Sequence, residues 1–293
     1  MLSARSTVRP RTQWIHVLQV TAFATNFLAT SLLLVDQAVA DTPTALHGFA
    51  AVTLKNAYIT PRGLVVHTSG MEIQPLGGLV FPLQSSAGVW GDLATDQHDK
   101  YVGAWNEFDY FAGVSAKIAQ KFEIGATYVV FTSPPHNCHP EQNLEFKLAY
   151  DESAVASRWS IHPYLKLFYA ITGDSTIVLG KKGGTFDVEI GVAPTRSVQS
   201  SPGRSITVSF PTFLTIGGPG FFGDGRHLGV FSTGPSASFP LNAISARMGS
   251  WRLDALVTYF HLLDDNLVMA SRLLGNSGRR DEWVGQLRVG MGF

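Results

Sequence analysis

The chain ends in Trp283-Val284-Gly285-Gln286-Leu287-Arg288-Val289-Gly290-Met291-Gly292-Phe293, and its residues alternate in character. The odd-numbered positions are apolar or glycine, whereas the even-numbered ones are mostly small or polar around Arg288. A period of two is that of a β-strand whose two faces differ. In a strand that crosses a membrane, the apolar face contacts lipid and the other face lines a closed barrel. This stretch therefore predicts a transmembrane β-strand and an all-β chain.

A terminal aromatic residue, preceded by apolar residues at every second position, resembles the closing strand of Gram-negative outer-membrane β-barrels. The resemblance implies that the barrel-assembly machinery of such cells reads this strand, and that outer-membrane lipid surrounds it. The segment 106–115 also looks like part of uncharacterised exported barrel proteins. The whole mature chain resembles small porin-like outer-membrane proteins of Gram-negative bacteria in its architecture. This resemblance assigns no functional role to any particular residue. The residues of the predicted assembly signal are Leu287, Val289, Met291 and Phe293.

The first 40 residues have the features of a secretory signal peptide. Three arginines precede a mostly apolar stretch over residues 14–35, which is followed by Ala38-Val39-Ala40. We expect cleavage after Ala40, and the alternative is an uncleaved signal anchor. The chain is thus divided into a signal peptide, 1–40, and a single barrel domain, 41–293. No later apolar run is long enough for a helical span.

Composition excludes several functional classes. Residues 1–40 hold three of the 22 basic residues and one of the 22 acidic ones, so the mature chain has a net charge of −2. This charge gives no indication of binding to nucleic acid. One cysteine, Cys138, cannot form an intrachain disulfide. No motif indicates a cofactor. The sequence instead predicts that closure of the sheet stabilises the fold.

The mature chain contains twelve alternating segments, which predicts an up-and-down antiparallel β-barrel. A periplasmic β-protein would show the same alternation, but export and the terminal aromatic residue favour the barrel. A short helix is predicted near residues 264–274. Short turns at one end and longer loops at the other place both termini in the periplasm, although the connection 194–204 is too long for this rule. The predicted strands span approximately 49–60, 71–81, 86–95, 105–117, 121–132, 141–151, 159–171, 184–193, 205–216, 228–240, 250–262 and 282–293.

Charged residues share the polar phase of these strands and are predicted to line the lumen. The pattern favours a narrow channel for small solutes, selected by these charges. The alternative is a non-conducting receptor, adhesion or structural barrel. Acidic residues predominate on several strands, and Lys166, Arg252 and Arg288 are expected to form an opposing basic strip. The predicted lumen-lining residues are Glu107, Asp109, Lys117, Lys121, Glu123, Glu145, Lys147, Lys166, Asp187, Glu189, Arg252, Asp254 and Arg288.

Two further motifs are interpreted as loops. The run 218–223 has the spacing G-x-G-x-x-G, but a strand rather than a helix follows it, so it predicts a flexible extracellular loop and not a nucleotide site. The run His136-Asn137-Cys138-His139 contains metal-ligand residue types, but its spacing matches no standard metal site. We therefore predict no metal site there.

A third function remains open, that of an outer-membrane lipid-modifying hydrolase. His67, Ser69 and Glu72 have the residue types of a nucleophile, a base and an orienting acid near the predicted outer rim. They could equally be ordinary polar residues of the rim. We expect a non-enzymatic barrel from the sequence.

Overall fold

The computed structural model describes residues 46–96, 105–119, 121–134, 140–151, 159–172, 183–201, 204–223 and 227–293. The predicted signal peptide and the His136–His139 run lie outside these residues. One α-helix, α1 (Asp265–Leu273), follows the N-cap Asp264 and confirms the helix predicted there. Among the described residues, no helix is long and apolar enough to cross a membrane.

Most of the described chain is β-strand. Two 3₁₀ turns, Pro82–Gln84 and Ala246–Met248, lie between strands. The strands are β1 (His47–Lys55), β2 (Tyr58–Ile59), β3 (Val65–His67), β4 (Glu72–Phe81), β5 (Ser85–Ala94), β6 (Trp105–Ile118), β7 (Phe122–Thr132), β8 (Glu141–Tyr150), β9 (Tyr164–Thr172), β10 (Thr185–Val192), β11 (Thr195–Ser201), β12 (Arg204–Ser209), β13 (Thr212–Gly217), β14 (Leu228–Thr233), β15 (Ser236–Pro240), β16 (Ser250–Leu262) and β17 (Asp281–Gly292).

The strands form one closed antiparallel barrel, which confirms the predicted fold class. All strands except β2 and β3 join it, and β10–β11, β12–β13 and β14–β15 each count as one bent barrel strand, giving twelve. The barrel closes because β17 pairs with β16 on one side and with β1 on the other. Closure leaves no unpaired sheet edge to be covered in lipid. Both ends of the described barrel domain lie at one end of the barrel, named here the periplasmic end, and the opposite end is the extracellular end.

Three neighbouring barrel strands bend at a proline. Pro194, Pro211 and Pro235 separate the two halves of these strands, because a proline has no N–H to donate to the ladder. The ladder continues past the bend, with Phe210 N–H donating to Pro194 O at 2.9 Å. The predicted long connection 194–204 is therefore wrong: the strand continues as β11 to Ser201, and β12 begins at Arg204.

The outer wall of the barrel is apolar. Side chains predicted to face lipid are exposed there, whereas their neighbours in sequence point inward and are buried. Phe111 and Phe131, for example, are buried inside beside the exposed Tyr110. A soluble sandwich would bury its apolar faces instead. Exposed residues of the outer wall include Tyr110, Val114, Ile124, Phe146, Leu148, Ile190, Leu287 and Val289.

The last residue takes part in closing the barrel. Phe293 N–H donates to Gly48 O at 2.9 Å, and Gly48 N–H donates to Phe293 O at 2.7 Å. The Phe293 ring lies over Gly48 so closely that a Cβ atom there would be 2.2 Å from Phe293 Cζ. A larger residue at position 48 would therefore displace the Phe293 ring from this place. The role of Phe293 as an assembly signal stays a prediction.

Candidate functional site in the barrel lumen

Most of the predicted lumen residues point inward. Glu107, Asp109, Glu123, Glu145, Lys166, Asp187, Glu189 and Arg288 are buried. Lys147, Arg252 and Asp254 are half-buried, and Lys117 and Lys121 are exposed beside the turn at residues 119–121. A charged side chain that is buried inside such a barrel needs an ion-pair partner or water, because burial of an unpaired charge costs free energy. Their role in solute selection stays a prediction.

Charges of opposite sign pair between neighbouring strands in the periplasmic half. Lys147 Nζ lies 2.9 Å from Glu123 Oε1, and Lys166 Nζ lies 3.0 Å from Glu189 Oε1. Cross-strand partners of opposite sign stabilise a sheet. Arg252 is close to Asp254, with Nε 3.4 Å from Oδ2.

The expected basic strip is only partly formed. Asp254 is opposite Arg288 in the ladder, so Arg252 and Arg288 lie together on β16 and β17. Lys166 lies on β9, which three barrel strands separate from β16, and it is paired with its own acidic neighbour. The basic strip is therefore limited to the two arginines. Alternation along a strand predicts whether a side chain points into the lumen, but it does not predict which side chains are neighbours around the barrel.

Acidic side chains outnumber basic ones in the interior. Among the residues that the structure describes, ten Asp or Glu are buried against four Lys or Arg. Glu72, Asp92 and Glu141 belong to this acidic set but were not among the predicted lumen-lining residues. Each of them lies at or near the extracellular end of its strand, so the alternation there was too short to assign a face. Whether this excess of carboxylates attracts cations stays a prediction.

A segment after β1 folds into the lumen and is named here the inner hairpin, residues 57–67. It was predicted to continue the first barrel strand to residue 60, but that strand ends at Lys55. In the inner hairpin, Tyr58 and His67 are partners across the β2–β3 pair. Gly63 N–H donates to Thr60 O at 2.8 Å and closes a turn with Pro61 at its second position. The inner hairpin is buried throughout.

Arg62 lies at the tip of the inner hairpin and reaches the opposite wall. Its Nε is 3.1 Å from Asp187 Oδ1 on β10, and its Nη1 is 3.6 Å from Glu141 Oε1 on β8. Nε is too poorly aligned for a hydrogen bond, so the contact is an ion pair. The guanidinium also lies over the rings of Phe168 and Phe221, at 5.0 and 5.5 Å from their centres. Since β8 to β10 are far from β1 around the barrel, the inner hairpin crosses the whole lumen.

Two further contacts fix the inner hairpin along its length. The Tyr58 hydroxyl donates to Glu107 Oε2 at 2.8 Å on β6. Burial, together with the Glu107 carboxylate, raises the pKa of Tyr58 above its usual range, so the hydroxyl keeps the proton that it donates. On the other side, Asn276 Nδ2 donates to Val65 O at 3.0 Å and to Val66 O at 3.2 Å.

Apolar side chains complete a cap over the lumen at the extracellular end. Phe221 and Phe222, from the connection after β13, are fully buried and pack in one cluster with Leu64 and with Leu267 of α1. Asn266 Nδ2 donates to Phe222 O at 2.6 Å and ties the helix to this connection. The run 218–223 lies in a connection at the extracellular end, as predicted, but it is not a solvated loop, because its two phenylalanines are core residues.

The periplasmic half of the lumen contains a cavity. Its volume is about 50 Å³, and it is partly open to solvent. Its lining is mixed: polar and charged residues such as Ser115, Thr127, Glu145, Lys147 and Lys166 lie beside the buried rings of Phe49 and Phe111. The cavity and the inner hairpin therefore lie in different halves of the lumen.

A closed antiparallel barrel with an apolar outer wall and a charged interior defines a transmembrane β-barrel of the outer-membrane class. No family model and no curated protein matches the sequence. Among solved structures, the NanC porin is similar at 11% identity with a TM-score of 0.44, over 85% of this chain and 99% of that chain. An outer-membrane channel from Pseudomonas putida F1 is similar at 10% identity with a TM-score of 0.45, over 86% and 97%. The translocator domain of the autotransporter NalP from Neisseria meningitidis is similar at 12% identity with a TM-score of 0.41, over 92% and 95%. At these values, the function of this chain has to be argued from its own geometry.

Proposed function

We propose that this protein is an outer-membrane channel for small solutes, in which the inner hairpin controls passage. The observation that carries the proposal is the division of the lumen. A small cavity with charged residues in its wall lies in the periplasmic half. In the other half, a hairpin crosses the barrel and ends in one buried ion-paired arginine. A purely structural barrel of this size has no need for a cavity lined with ionised groups, each of which costs free energy to desolvate.

Twelve barrel strands are compatible with this function. About eight strands leave room only for side chains, whereas sixteen to eighteen leave a wide channel. In a barrel of intermediate size, one inserted segment is sufficient to constrict the passage. Arg62 holds the tip of the inner hairpin against the carboxylates of Asp187 and Glu141. Water can solvate these carboxylates when the tip moves away from them. Closed and open states are thereby available without any change in the barrel wall.

The acidic excess sets the expected selectivity. Carboxylates raise the local concentration of cations at low salt, and rising salt screens the effect. The pairing of Lys147 with Glu123 and of Lys166 with Glu189 reduces the excess in the periplasmic half. We therefore expect a weak cation preference rather than strong selectivity.

The test is the reversal potential of the purified protein in planar bilayers under a salt gradient. Glu145 lines the cavity, and Glu145→Gln is expected to shift the reversal potential toward zero. Asp265→Asn is the matched control, because it removes one negative charge from the exposed start of α1. Equal effects of the two variants would show that Glu145 does not line the path. A complete lack of conductance, in this protein and in variants of the inner hairpin, would favour a receptor or structural barrel.

A further inference from the structure

The segment that leads from the inner hairpin back to the barrel wall contains a linked serine, histidine and glutamate. Ser69 Oγ is 3.2 Å from His67 Nε2, and His67 Nδ1 is 2.6 Å from Glu72 Oε1. Both distances are within hydrogen-bond reach, and the two contacts use opposite nitrogens of the ring. This is the order of contacts that activates a serine nucleophile.

The environment of each group suits such a role. Glu72 and His67 are buried, at 0% and 2% exposure, whereas Ser69 is exposed. Lys55 is the cross-strand partner of Glu72 in the pairing of β1 with β4. An ionised carboxylate only accepts hydrogen bonds, so His67 carries its proton on Nδ1. Nε2 is then the acceptor that faces the Ser69 hydroxyl.

The backbone holds these three side chains together. On one side of Ser69, the Thr68 hydroxyl donates to Asn276 Oδ1 at 3.0 Å. On the other side, Met71 N–H donates to Thr95 Oγ1 at 2.8 Å. Gly70 has a φ of +71°, and a Cβ atom there would be 2.6 Å from Asp96 Cβ, so the tight turn requires glycine. This turn returns the chain so that Glu72 can contact His67.

We propose that Ser69, His67 and Glu72 form a hydrolytic site for carboxylic esters with an apolar acyl chain. Ser69 Oγ attacks the ester carbonyl carbon, and its proton passes to His67 Nε2. The C–O bond to the alcohol then breaks, and the alcohol leaves with that proton. Water hydrolyses the resulting acyl-serine by the same route, releasing the carboxylic acid and restoring Ser69. Glu72 orients the ring and stabilises its protonated form.

The choice of an apolar acyl chain rests on the surroundings of Ser69. Met71, which follows the turn, is 44% exposed beside it at the start of β4. The site is at the extracellular end of the barrel wall, where the apolar outer wall begins. An ester of a membrane lipid or a soluble ester could supply the same reacting group. This activity is independent of conduction, so either can fail without the other.

The experiment uses the full-length folded barrel, checked by heat-modifiable migration on a gel. A fluorophosphonate probe is expected to label the protein, and Ser69→Ala is expected to abolish the label. Ser277→Ala is the matched control, because Ser277 is also exposed at this end and contacts a carboxylate, Glu282, at 3.2 Å. Labelling that persists in Ser69→Ala, or no labelling of the unchanged protein, would overturn the proposal.

Turnover separates the two sources of substrate. Hydrolysis of p-nitrophenyl butyrate in solution is compared with that of p-nitrophenyl palmitate in mixed micelles. The palmitate ester is expected to react faster, and Ser69→Ala to reduce turnover by about 10³-fold or more. Glu72→Gln keeps the shape of the side chain, and we expect it to lower turnover while the barrel remains folded. Faster butyrate turnover would contradict the apolar acyl chain, and an absence of turnover on both esters would contradict the site itself.

Discussion

Loss of the Arg62 charge is expected to open the channel. In Arg62→Gln, the buried carboxylates of Asp187 and Glu141, at 0% and 2% exposure, lose their cation while the inner hairpin stays docked. Removal of one partner of a buried ion pair costs about 3–5 kcal/mol. In the undocked state the same carboxylates face water, so the loss acts mainly on the docked state. A tenfold change in an equilibrium constant corresponds to about 1.36 kcal/mol. At the lower cost of about 3 kcal/mol, the equilibrium constant between the docked and undocked states shifts by roughly two orders of magnitude toward the undocked state.

Single-channel recording in planar bilayers measures this shift directly. The open probability of Arg62→Gln is expected to rise by up to about 100-fold, limited only by saturation. Arg247→Gln is the matched control, since Arg247 is exposed in the 3₁₀ turn at the periplasmic end. Adding Asp187→Asn to Arg62→Gln should restore part of the closure, because one unpaired buried charge is removed. The reasoning is refuted if Arg62→Gln forms a folded barrel with the same open probability as the unchanged protein.

Two further predictions concern the barrel itself. Deletion of Phe293, or Phe293→Asp, is expected to reduce assembly, since the backbone of this residue pairs with Gly48 at the seam and its side chain ends the apolar face. Both variants should lose the heat-modifiable migration on a gel that marks a folded barrel. Unchanged assembly of both variants would contradict the assignment of Phe293 as part of the assembly signal. Ala112→Arg on the outer wall should lower the free energy of unfolding by about 2–4 kcal/mol, and Ser115→Arg in the lumen by much less. Ser115 is chosen rather than the nearby lumen residue Gly113, because a Cβ atom at Gly113 would lie 2.7 Å from Thr127 Oγ1. That clash would add to the measured cost of an arginine there. Denaturant titration in lipid measures both costs, and the reverse order would mean that the two faces are misassigned.

The sequence by itself determined the barrel, the number of its strands and the facing of most side chains. A period of two is a local property, because neighbouring residues of a strand point to opposite faces whatever the strand pairs with. The alternation before Phe293 therefore predicts an exposed Leu287 and a buried Arg288, as observed. The helix α1 was likewise predictable from a short stretch of sequence.

Only the tertiary structure decided what fills the lumen. Residues 57–67 do not alternate, and nothing local indicates that the turn at Pro61 directs Arg62 across the barrel to β8 and β10. The strand at 184–193 was predicted to end before Pro194, although the ladder continues past the bend there. His67, Ser69 and Glu72 could be selected by residue type, but their hydrogen bonds depend on a tight turn and on anchors from distant loops. Contacts of this kind join residues far apart in the chain, and closure of the barrel is what brings them within reach of each other.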